Sequence, residues 1–233
     1  MTRVGLLGGT FDPIHMGHID LATVAQKALS LSRVLVIPAN VPPHRTKPVT
    51  SSFHRFAMVA LAVAGRPDWR ASDVELRHEA PSYTSTTLQR FQHRGYEARE
   101  LFFLIGADAF ADIQTWRAYP QILDCANFAV VSRPGYPVAQ LRDHLPVLAD
   151  RMVAPGDEPS NEPSITLIDG VTSDVSSTAI RARLAAGASI AGMVDDRVRQ
   201  HIEQHGLYRL SSPDRRALHL ERELPAGRLH GQD

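Results

Sequence analysis

Residues 3–22 read RVGLLGGTFDPIHMGHIDLA and join an apolar run, a glycine turn and the start of an amphipathic segment. The apolar run from Arg3 to Gly8 is typical of a parallel strand buried on both faces. After the glycine turn, apolar residues at helical spacing predict a helix from Gly17 to Ser30. A second apolar run from Arg33 to Ile37 stops at Pro38. This order of strand, turn, helix and strand predicts a βαβ unit with a right-handed crossover.

The same alternation continues along the chain. Further strands are predicted at 69–76, 101–105, 128–132 and 165–168, and further helices at 52–64, 82–93, 108–125 (interrupted near Pro120), 176–186 and 195–205, the last ending at Gly206. Residues 151–164 contain three prolines and are predicted to form a loop. We therefore predict one α/β domain over residues 1–210, built on a doubly wound, Rossmann-like parallel sheet. Residues 211–233 have no apolar period and are expected to form a mobile tail.

The composition limits the classes of partner. The 25 basic residues balance 25 acidic ones, and only Lys27 and Lys47 are lysines. A chain without net positive charge is a poor candidate for sequence-independent nucleic-acid binding. The single cysteine, Cys125, excludes an internal disulfide and a multi-cysteine zinc site. The sequence contains no recognisable targeting segment and no apolar run of 18 residues, so we expect a cytoplasmic protein with no membrane partner.

The glycine turn lies where open α/β sheets bind ligands, after the carboxyl end of a strand. Gly8 and Gly9 allow backbone amides to approach a phosphate without an intervening Cβ. The helix that begins near Gly17 presents free amides and a positive dipole end to an anion. Gly17 itself is expected to leave room for an adenine or a ribose.

His15 and His18 are three residues apart on the first turn of this helix, so their imidazoles are expected on one side. Two histidines at this spacing are compatible with exposed side chains, or with a metal site for which Asp12 is the obvious third ligand. A second motif, VSSTAIR at 175–181, lies where a loop is predicted to enter a helix. Ser176 or Ser177 can cap that helix, and its hydroxyls and amides suit phosphate oxygens. A capped helix with a surface arginine is the structural alternative.

The string from Gly8 to His18 resembles the adenylyltransferase form of the nucleotidyltransferase superfamily, whose signature is a glycine-rich turn followed by (T/H)xGH. The string 175–181 resembles the (I/V)SSTxIR motif that this superfamily uses on the β- and γ-phosphates of ATP. Two motifs of one family, in the expected order, strengthen each other. The resemblance implies an ATP-binding set consisting of Gly8, Gly9, Thr10, Phe11, Gly17, His18, Arg133, Ser176, Ser177, Thr178 and Arg181.

Shorter strings across residues 4–209 resemble the bacterial nicotinate-nucleotide adenylyltransferases. They are Pro42–Arg45, His54–Arg55, Pro81–Thr84, Gly106–Ala109, Thr115–Trp116, Ser132–Gly135 and Gly206–Tyr208. This resemblance implies transfer of the adenylyl group of ATP to nicotinate mononucleotide, with Mg²⁺ carried by ATP. The sequence leaves two alternatives open: another acceptor, such as nicotinamide mononucleotide or a different phosphomonoester, and a nucleotide-binding sensor without catalysis.

The family strings also imply residues for the acceptor. The indole of Trp116 can stack on a cationic pyridinium ring. Amides near Tyr83, Thr84 and Ser85 at a helix start can bind a carboxylate, and Asp108 can bind ribose hydroxyls. The structural alternatives are packing roles for Trp116 and Tyr83 and a helix N-cap for Asp108.

The catalytic set implied by the resemblance is His15, His18, His44 and Arg45. Arg45 departs from the lysine that is usual in the family, so the positive charge is kept but its shape changes. The attacking group is already an anion, so neither a protein nucleophile nor a general base is required. The remaining histidines have no motif context and are expected at the solvated surface: His78, His93, His144, His201, His205, His219 and His230.

Overall fold

The computed structural model describes residues 2–43, 48–157 and 162–209, in which strands and helices alternate. The strands are β1 (Val4–Gly9), β2 (Arg33–Pro38), β3 (Trp69–Ala71), β4 (Leu101–Gly106), β5 (Asn127–Val131), β6 (Met152–Val153) and β7 (Ile165–Ile168). The α-helices are α1 (Met16–Leu29), α2 (Ser52–Val63), α3 (Thr84–Gln92), α4 (Ala107–Phe110), α5 (Leu141–His144), α6 (Ser177–Ala185) and α7 (Asp196–Gln204). Short 3-10 helices occupy Ala98–Glu100, Ile113–Thr115, Gln121–Asp124, Val138–Gln140 and Pro146–Arg151. None of the described helices has the length and apolar character that crossing a membrane requires.

Within the described ranges, the strands form one parallel sheet in the order β3-β2-β1-β4-β5-β7-β6. The central strand β1 pairs with β2 through Val4 and Arg33, and with β4 through Val4 and Leu101. The chain adds β2 and β3 on one side of β1 and then crosses to add β4 on the other. The doubly wound, Rossmann-like fold is thus confirmed, and the winding reverses between β1 and β4. In such sheets the crevice outside the carboxyl ends at this reversal is the usual ligand site.

The sheet is buried on both faces, as the continuous apolar runs predicted. Strand β4 illustrates the division, because alternate residues of a strand point to opposite faces. Phe102 and Leu104 belong to the hydrophobic cluster that packs under α1, α2, α6 and α7. Phe103 and Ile105 belong to the cluster under α3 and α4. The turns at the carboxyl edge therefore rest on a core that is closed on both sides.

Strand β3 is shorter than the predicted 69–76. It pairs with Val34–Val36 of β2, and the amide of Ser72 still donates to the carbonyl of Val36 at 2.9 Å. Beyond that point β2 ends at Pro38, which has no amide to donate. The residues after Ser72 therefore turn away from the sheet, and Glu75 is buried against the hydroxyl of Thr87.

The stretch 108–125, predicted to be helical with an interruption near Pro120, is only partly α-helical. The structure contains α4 and the 3-10 helices Ile113–Thr115 and Gln121–Asp124 there. The predicted interruption is confirmed, because Ala118, whose φ is +66°, and Pro120 lie between the two 3-10 helices. Neither a left-handed residue nor a proline can continue an α-helix. The prediction of a loop over 151–164 missed a short strand, because Met152–Val153 forms the edge strand β6, which pairs with β7. Gly206, with φ of +59°, follows α7 as predicted for a helix end.

Candidate active site

The turn after β1 is shaped by an aromatic ring that packs on glycine. A Cβ at Gly9 would lie 2.8 Å from the ring of Phe11, which no side chain could tolerate. Phe11 has a φ of +52° and is only 2% exposed, and its ring lies edge-on to the imidazole of His18 at 5.0 Å. The ring of Phe11 is therefore part of the core. Only the backbone of Phe11 can face a ligand, a restriction that the motif alone did not indicate.

His15 and His18 lie together, as their spacing predicted. Their rings are stacked with centroids 3.7 Å apart at the start of α1. His15 precedes the helix in an extended conformation, and its amide donates to Nδ1 of His18 at 3.2 Å. Because Nδ1 accepts this bond, the proton of a neutral His18 ring is on Nε2. The backbone amide of His15 therefore sets the tautomer of the half-buried His18 ring and leaves Nε2–H as its donor.

His15 differs electrostatically from a simple cationic phosphate ligand. It is 4% exposed, and within the described part of the chain its Nδ1 has no hydrogen-bond partner. Burial, reinforced by the neighbouring Arg133 cation, lowers the pKa of His15 to about 3, although Asp20 partly opposes the shift. Desolvation disfavours the charged imidazole. His15 is thus neutral at neutral pH in this structure, and the positive charge at the start of α1 comes from Arg133.

Gly17 is required for a different reason from the one that the sequence indicated. A Cβ there would lie 2.9 Å from Nη1 of Arg133 and 3.0 Å from the carbonyl oxygen of Ser173. Nη1 of Arg133 also donates to the carbonyl of Gly17 at 3.2 Å. The space expected for an adenine or ribose is therefore occupied by an arginine that follows β5. A cavity of about 280 Å³ lies beside it, between Arg133 and the loop after β7.

The second motif docks directly on the first. The Ser176 hydroxyl accepts from the amide of Ala179 at 3.1 Å, so it caps α6 as predicted. The hydroxyl of Ser177 donates to the carbonyl of Pro13 at 2.9 Å. Arg181 donates from Nη1 to the carbonyl of Asp12 at 2.8 Å and from Nη2 to the exposed Thr178 hydroxyl at 3.2 Å. The start of α6 is thereby fixed against the turn that follows β1.

The residues that hold this turn from behind were not recognised from the sequence. Asp12 is 4% exposed, and its carboxylate accepts from the amide of Val49 at 2.7 Å. It also accepts from the hydroxyls of Thr50 at 2.6 Å and Tyr208 at 2.7 Å. Val49 and Thr50 belong to none of the family strings. Tyr208 ends the string Gly206–Tyr208, but that string did not predict a contact so distant in sequence. A fully engaged carboxylate also argues against Asp12 as a metal ligand beside His15.

Arg55 is a second hidden support, with 1% of its surface exposed. Its guanidinium donates to the carbonyl oxygens of Thr10 at 2.8 Å and Asn40 at 3.2 Å, and to that of Ala39. Burial lowers the pKa of Arg55, whereas the charge of Asp12 raises it. The negative charge of Asp12 thus partly offsets the cost of burying this cation. The short family string containing Arg55 was the one available signal.

The predicted acceptor residues lie on two neighbouring segments. Tyr83 is the residue before α3, and the guanidinium carbon of Arg117 lies 4.4 Å from the centre of its ring. Trp116 is half-buried and packs edge-on against Phe103 with centroids 6.0 Å apart. Thr84 is half-buried in the first turn of α3, and Ser85 beside it is 6% exposed. The structure therefore brings Tyr83 and the Trp116 segment together and places helix-start amides beside them.

Asp108 is exposed in the first turn of α4. The N-cap of α4 is Gly106, so the alternative role of Asp108 as the cap is excluded. A Cβ on Gly106 would clash with Oδ1 of Asp108 and would lie 2.9 Å from the Arg133 side chain. Asp108 and Arg133 thus approach each other at the ends of β4 and β5. The predicted catalytic residues His44 and Arg45, and the tail from residue 211, lie outside the described residues.

Comparisons with known proteins agree with this architecture. The model of the cytidylyltransferase-like family matches residues 6–183. The "Probable nicotinate-nucleotide adenylyltransferase" of Roseiflexus sp. (strain RS-1) is 42% identical over 207 residues, covering 88% of this chain and 98% of the relative. The protein of the same name from Thermus thermophilus is 41% identical over 207 residues, covering 89% of this chain and 100% of the relative.

Solved structures show the same fold at lower identity. The nicotinic acid mononucleotide adenylyltransferase of Plasmodium falciparum, solved in complex with NaAD, matches with a TM-score of 0.67 at 17% identity. The alignment covers 89% of this chain and 98% of that one. The same enzyme complexed with APC matches with a TM-score of 0.65 at 18% identity, over the same shares of the two chains. The family model and the relatives at 41–42% identity establish that the chain belongs to the cytidylyltransferase-like family and, within it, to the nicotinate-nucleotide adenylyltransferases, and the solved structures agree with its fold.

Proposed function

We propose that this chain transfers the adenylyl group of ATP to nicotinate mononucleotide, forming nicotinate adenine dinucleotide and pyrophosphate in NAD biosynthesis. The observation that most strongly supports this proposal is the docking of the second motif on the first, through Arg181 on Asp12 and Ser177 on Pro13. This docking brings together the starts of α1 and α6, which are the two helix starts proposed to bind phosphate. The names of the curated relatives support the same reaction.

In the proposed reaction, a phosphate oxygen of nicotinate mononucleotide attacks the α-phosphorus of ATP in line. The new P–O bond forms as the bond to the bridging oxygen of the β-phosphate breaks, and pyrophosphate takes the electron pair. The nucleophile is already an anion, so no base is required. The protein contributes positioning and stabilisation of the transition-state charge.

We assign the α-phosphate to the start of α1, where Nε2–H of His18 can donate. The ring of His15 stacks on that of His18 and so helps to hold it in place. Because the His15 ring is neutral, it would bind the phosphate through a hydrogen bond rather than through a positive charge. The backbone of Gly8, Gly9, Thr10 and Phe11 would face the nucleotide. Beside Gly17, the guanidinium of Arg133 supplies the positive charge of this part of the crevice.

The β- and γ-phosphates are assigned to the start of α6. Ser176, Ser177 and Thr178 supply hydroxyls and amides there, and Arg181 retains N–H groups beyond those bonded to Asp12 and Thr178. His44 and Arg45 are proposed to add positive charge, as the family resemblance implies. These assignments make the two helix starts the two ends of one triphosphate site.

Mg²⁺ would enter bound to the phosphates of ATP. The side chains here fit this arrangement, because two carboxylates near the start of α1 are engaged by protein donors. Asp12 accepts from Thr50 and Tyr208, and Asp20 accepts from the amide of Ser173 at 2.9 Å. A site rich in imidazole, guanidinium and amide donors suits phosphate oxygens rather than a bare hard cation. The ion would neutralise charge on the leaving pyrophosphate.

For the acceptor, we assign the pyridinium ring to the face of Trp116 and its carboxylate to the amides after Tyr83, at Thr84 and Ser85. First-turn amides have no partner within their own helix, so they can bind an anion. The exposed Asp108 is assigned to ribose hydroxyls.

The test measures pyrophosphate release with ATP and Mg²⁺ and compares nicotinate mononucleotide, nicotinamide mononucleotide and phosphopantetheine. We expect nicotinate mononucleotide to give the highest kcat/KM. Preference for either other acceptor would overturn the substrate assignment. Release with none of them, together with clear ATP binding, would favour a sensor.

A further inference from the structure

Three histidines converge outside the active site, on two helices that pack together. His54 lies on α2, His201 lies on α7, and His205 follows one turn later as the residue after α7. Nδ1 of His54 is 3.1 Å from Nε2 of His201. The ring of His205 lies 4.9 Å from that of His54 and 4.4 Å from that of His201, between centroids. One ring nitrogen of each residue lies within 4.8 Å of the other two.

This arrangement has the chemistry of a transition-metal site. Tetrahedral Zn²⁺ with nitrogen ligands at 2.0–2.1 Å places those ligands about 3.3 Å apart. The separation between His54 and His201 is already close to that value, and His205 is exposed, so its side chain can close the remaining distance by rotation. Histidines at positions i and i+4 of a helix lie on one face, which is a common way of presenting two metal ligands. A water molecule would complete the coordination.

We propose that His54, His201 and His205 bind one divalent transition-metal ion of the zinc type, and that this ion ties α2 to α7. Imidazole nitrogen selects zinc, nickel or cobalt over magnesium, which prefers oxygen ligands. This site is therefore distinct from the Mg²⁺ that accompanies ATP.

The location gives the proposed ion a structural role. Thr50, just before α2, and Tyr208, just after α7, both donate to the buried carboxylate of Asp12. The three histidines bridge the same two helices a short distance along the chain from these donors. A metal at the cluster would therefore hold together the two segments that support the turn after β1. It makes no contact with substrate in this role.

The decisive experiment is Zn²⁺ binding to the full chain after treatment with a chelator. Isothermal titration calorimetry should give one tight site per chain, and Mg²⁺ should give no comparable heat. Zn²⁺ at about 100 times its Kd should raise Tm by roughly 5–10 °C. The variants His201→Gln and His205→Gln should each weaken this site at least about tenfold and, at the same Zn²⁺ concentration, reduce the rise in Tm by at least about half.

His93→Gln is the matched control, because His93 is an exposed histidine outside the cluster. It should leave both the affinity and the Tm shift unchanged. Circular dichroism and Tm without metal establish that each variant is folded, and His205→Gln changes only an exposed side chain. Wild-type protein that binds no Zn²⁺, or cluster variants that keep the same site and the same Tm shift, would overturn the proposal. Zn²⁺ bound at His15 and His18 instead of the cluster would give this second result, because that binding would persist in the cluster variants.

Discussion

The buried carboxylate of Asp12 provides a direct test of how the first motif is held in place. Asp12→Asn keeps the size of the side chain and removes its charge. Val49 donates to Oδ2 at 2.7 Å, while Thr50 and Tyr208 donate to Oδ1 at 2.6 and 2.7 Å. An amide group can accept on one of these sides only. On the other side it places its own donor against a protein donor, at a position that is 4% exposed.

The expected magnitude follows from two losses. A hydrogen bond to a charged group contributes about 1.5–3 kcal/mol, and an unsatisfied buried donor costs a similar amount. Arg55 also loses a nearby negative charge that raises its pKa and so favours its charged form at a buried position. The two losses overlap, so we expect the free energy of unfolding to fall by about 3–5 kcal/mol. For a chain of this size, Tm should fall by about 6–20 °C.

The assay is urea and thermal unfolding followed by circular dichroism. Asp112→Asn makes the same chemical change at an exposed position and should alter stability by less than about 0.5 kcal/mol. Tyr208→Phe removes one of the donors to Asp12 and should cause a smaller loss of about 1–3 kcal/mol. An Asp12→Asn protein within about 1 kcal/mol of the wild type would refute the proposed role of this carboxylate.

Three further predictions concern the active site. His18→Ala should lower kcat for pyrophosphate release about a hundredfold or more, because its Nε2 donor is assigned to the transition state. It should lower Tm only modestly, because the half-buried ring loses its bond to the amide of His15 and its stacking on that residue. Near-normal turnover would remove His18 from the catalytic set. Trp116→Ala should raise KM for nicotinate mononucleotide and leave KM for ATP nearly unchanged, and an equal rise in both would assign Trp116 to packing on Phe103 alone. The pKa of His15 is lowered from its usual 6.5 to about 3 in the folded chain. Between these two pH values the unfolded chain therefore binds more protons than the folded chain, so the free energy of unfolding should fall as the pH drops from about 6.5 towards 3. Between pH 6.5 and 5, His15 should account for about 1–2 kcal/mol of this fall. In urea unfolding, the free energy of unfolding of His15→Gln should therefore fall less steeply with decreasing pH than that of the wild type. An identical dependence on pH for the two proteins would contradict the neutral state assigned to His15.

The arrangement of the sheet was predictable because its determinants are local. Continuous apolar runs such as Arg33–Ile37 indicate parallel strands buried on both faces, and helices must then cross between them. The prediction failed where the partner strand decides the outcome, as in β3, whose length depends on where β2 ends. It failed again after α4, because the rest of the segment forms only short 3-10 helices on either side of a left-handed residue at Ala118. Nothing in the local pattern of residue types required that conformation.

The candidate site divides in the same way. The spacing of His15 and His18 required both rings to lie on one side of α1, and the structure stacks them. Their proximity could be read from the motif, but their charge could not. The neutral state of His15 depends on its burial and on Arg133, which arrives from a distant strand.

The sequence by itself determined the alternation of strands and helices, the two motifs that we propose bind phosphate, and the family, because each depends on residues that are close together in the chain. Only the tertiary structure decided how those motifs are joined and supported. Arg181 reaches the carbonyl of Asp12, and Tyr208 reaches its carboxylate, across 169 and 196 residues. The same packing of α2 on α7 brings His54 to within 3.1 Å of His201. Contacts between residues so far apart depend on how the helices pack against the sheet, and no local pattern specifies them.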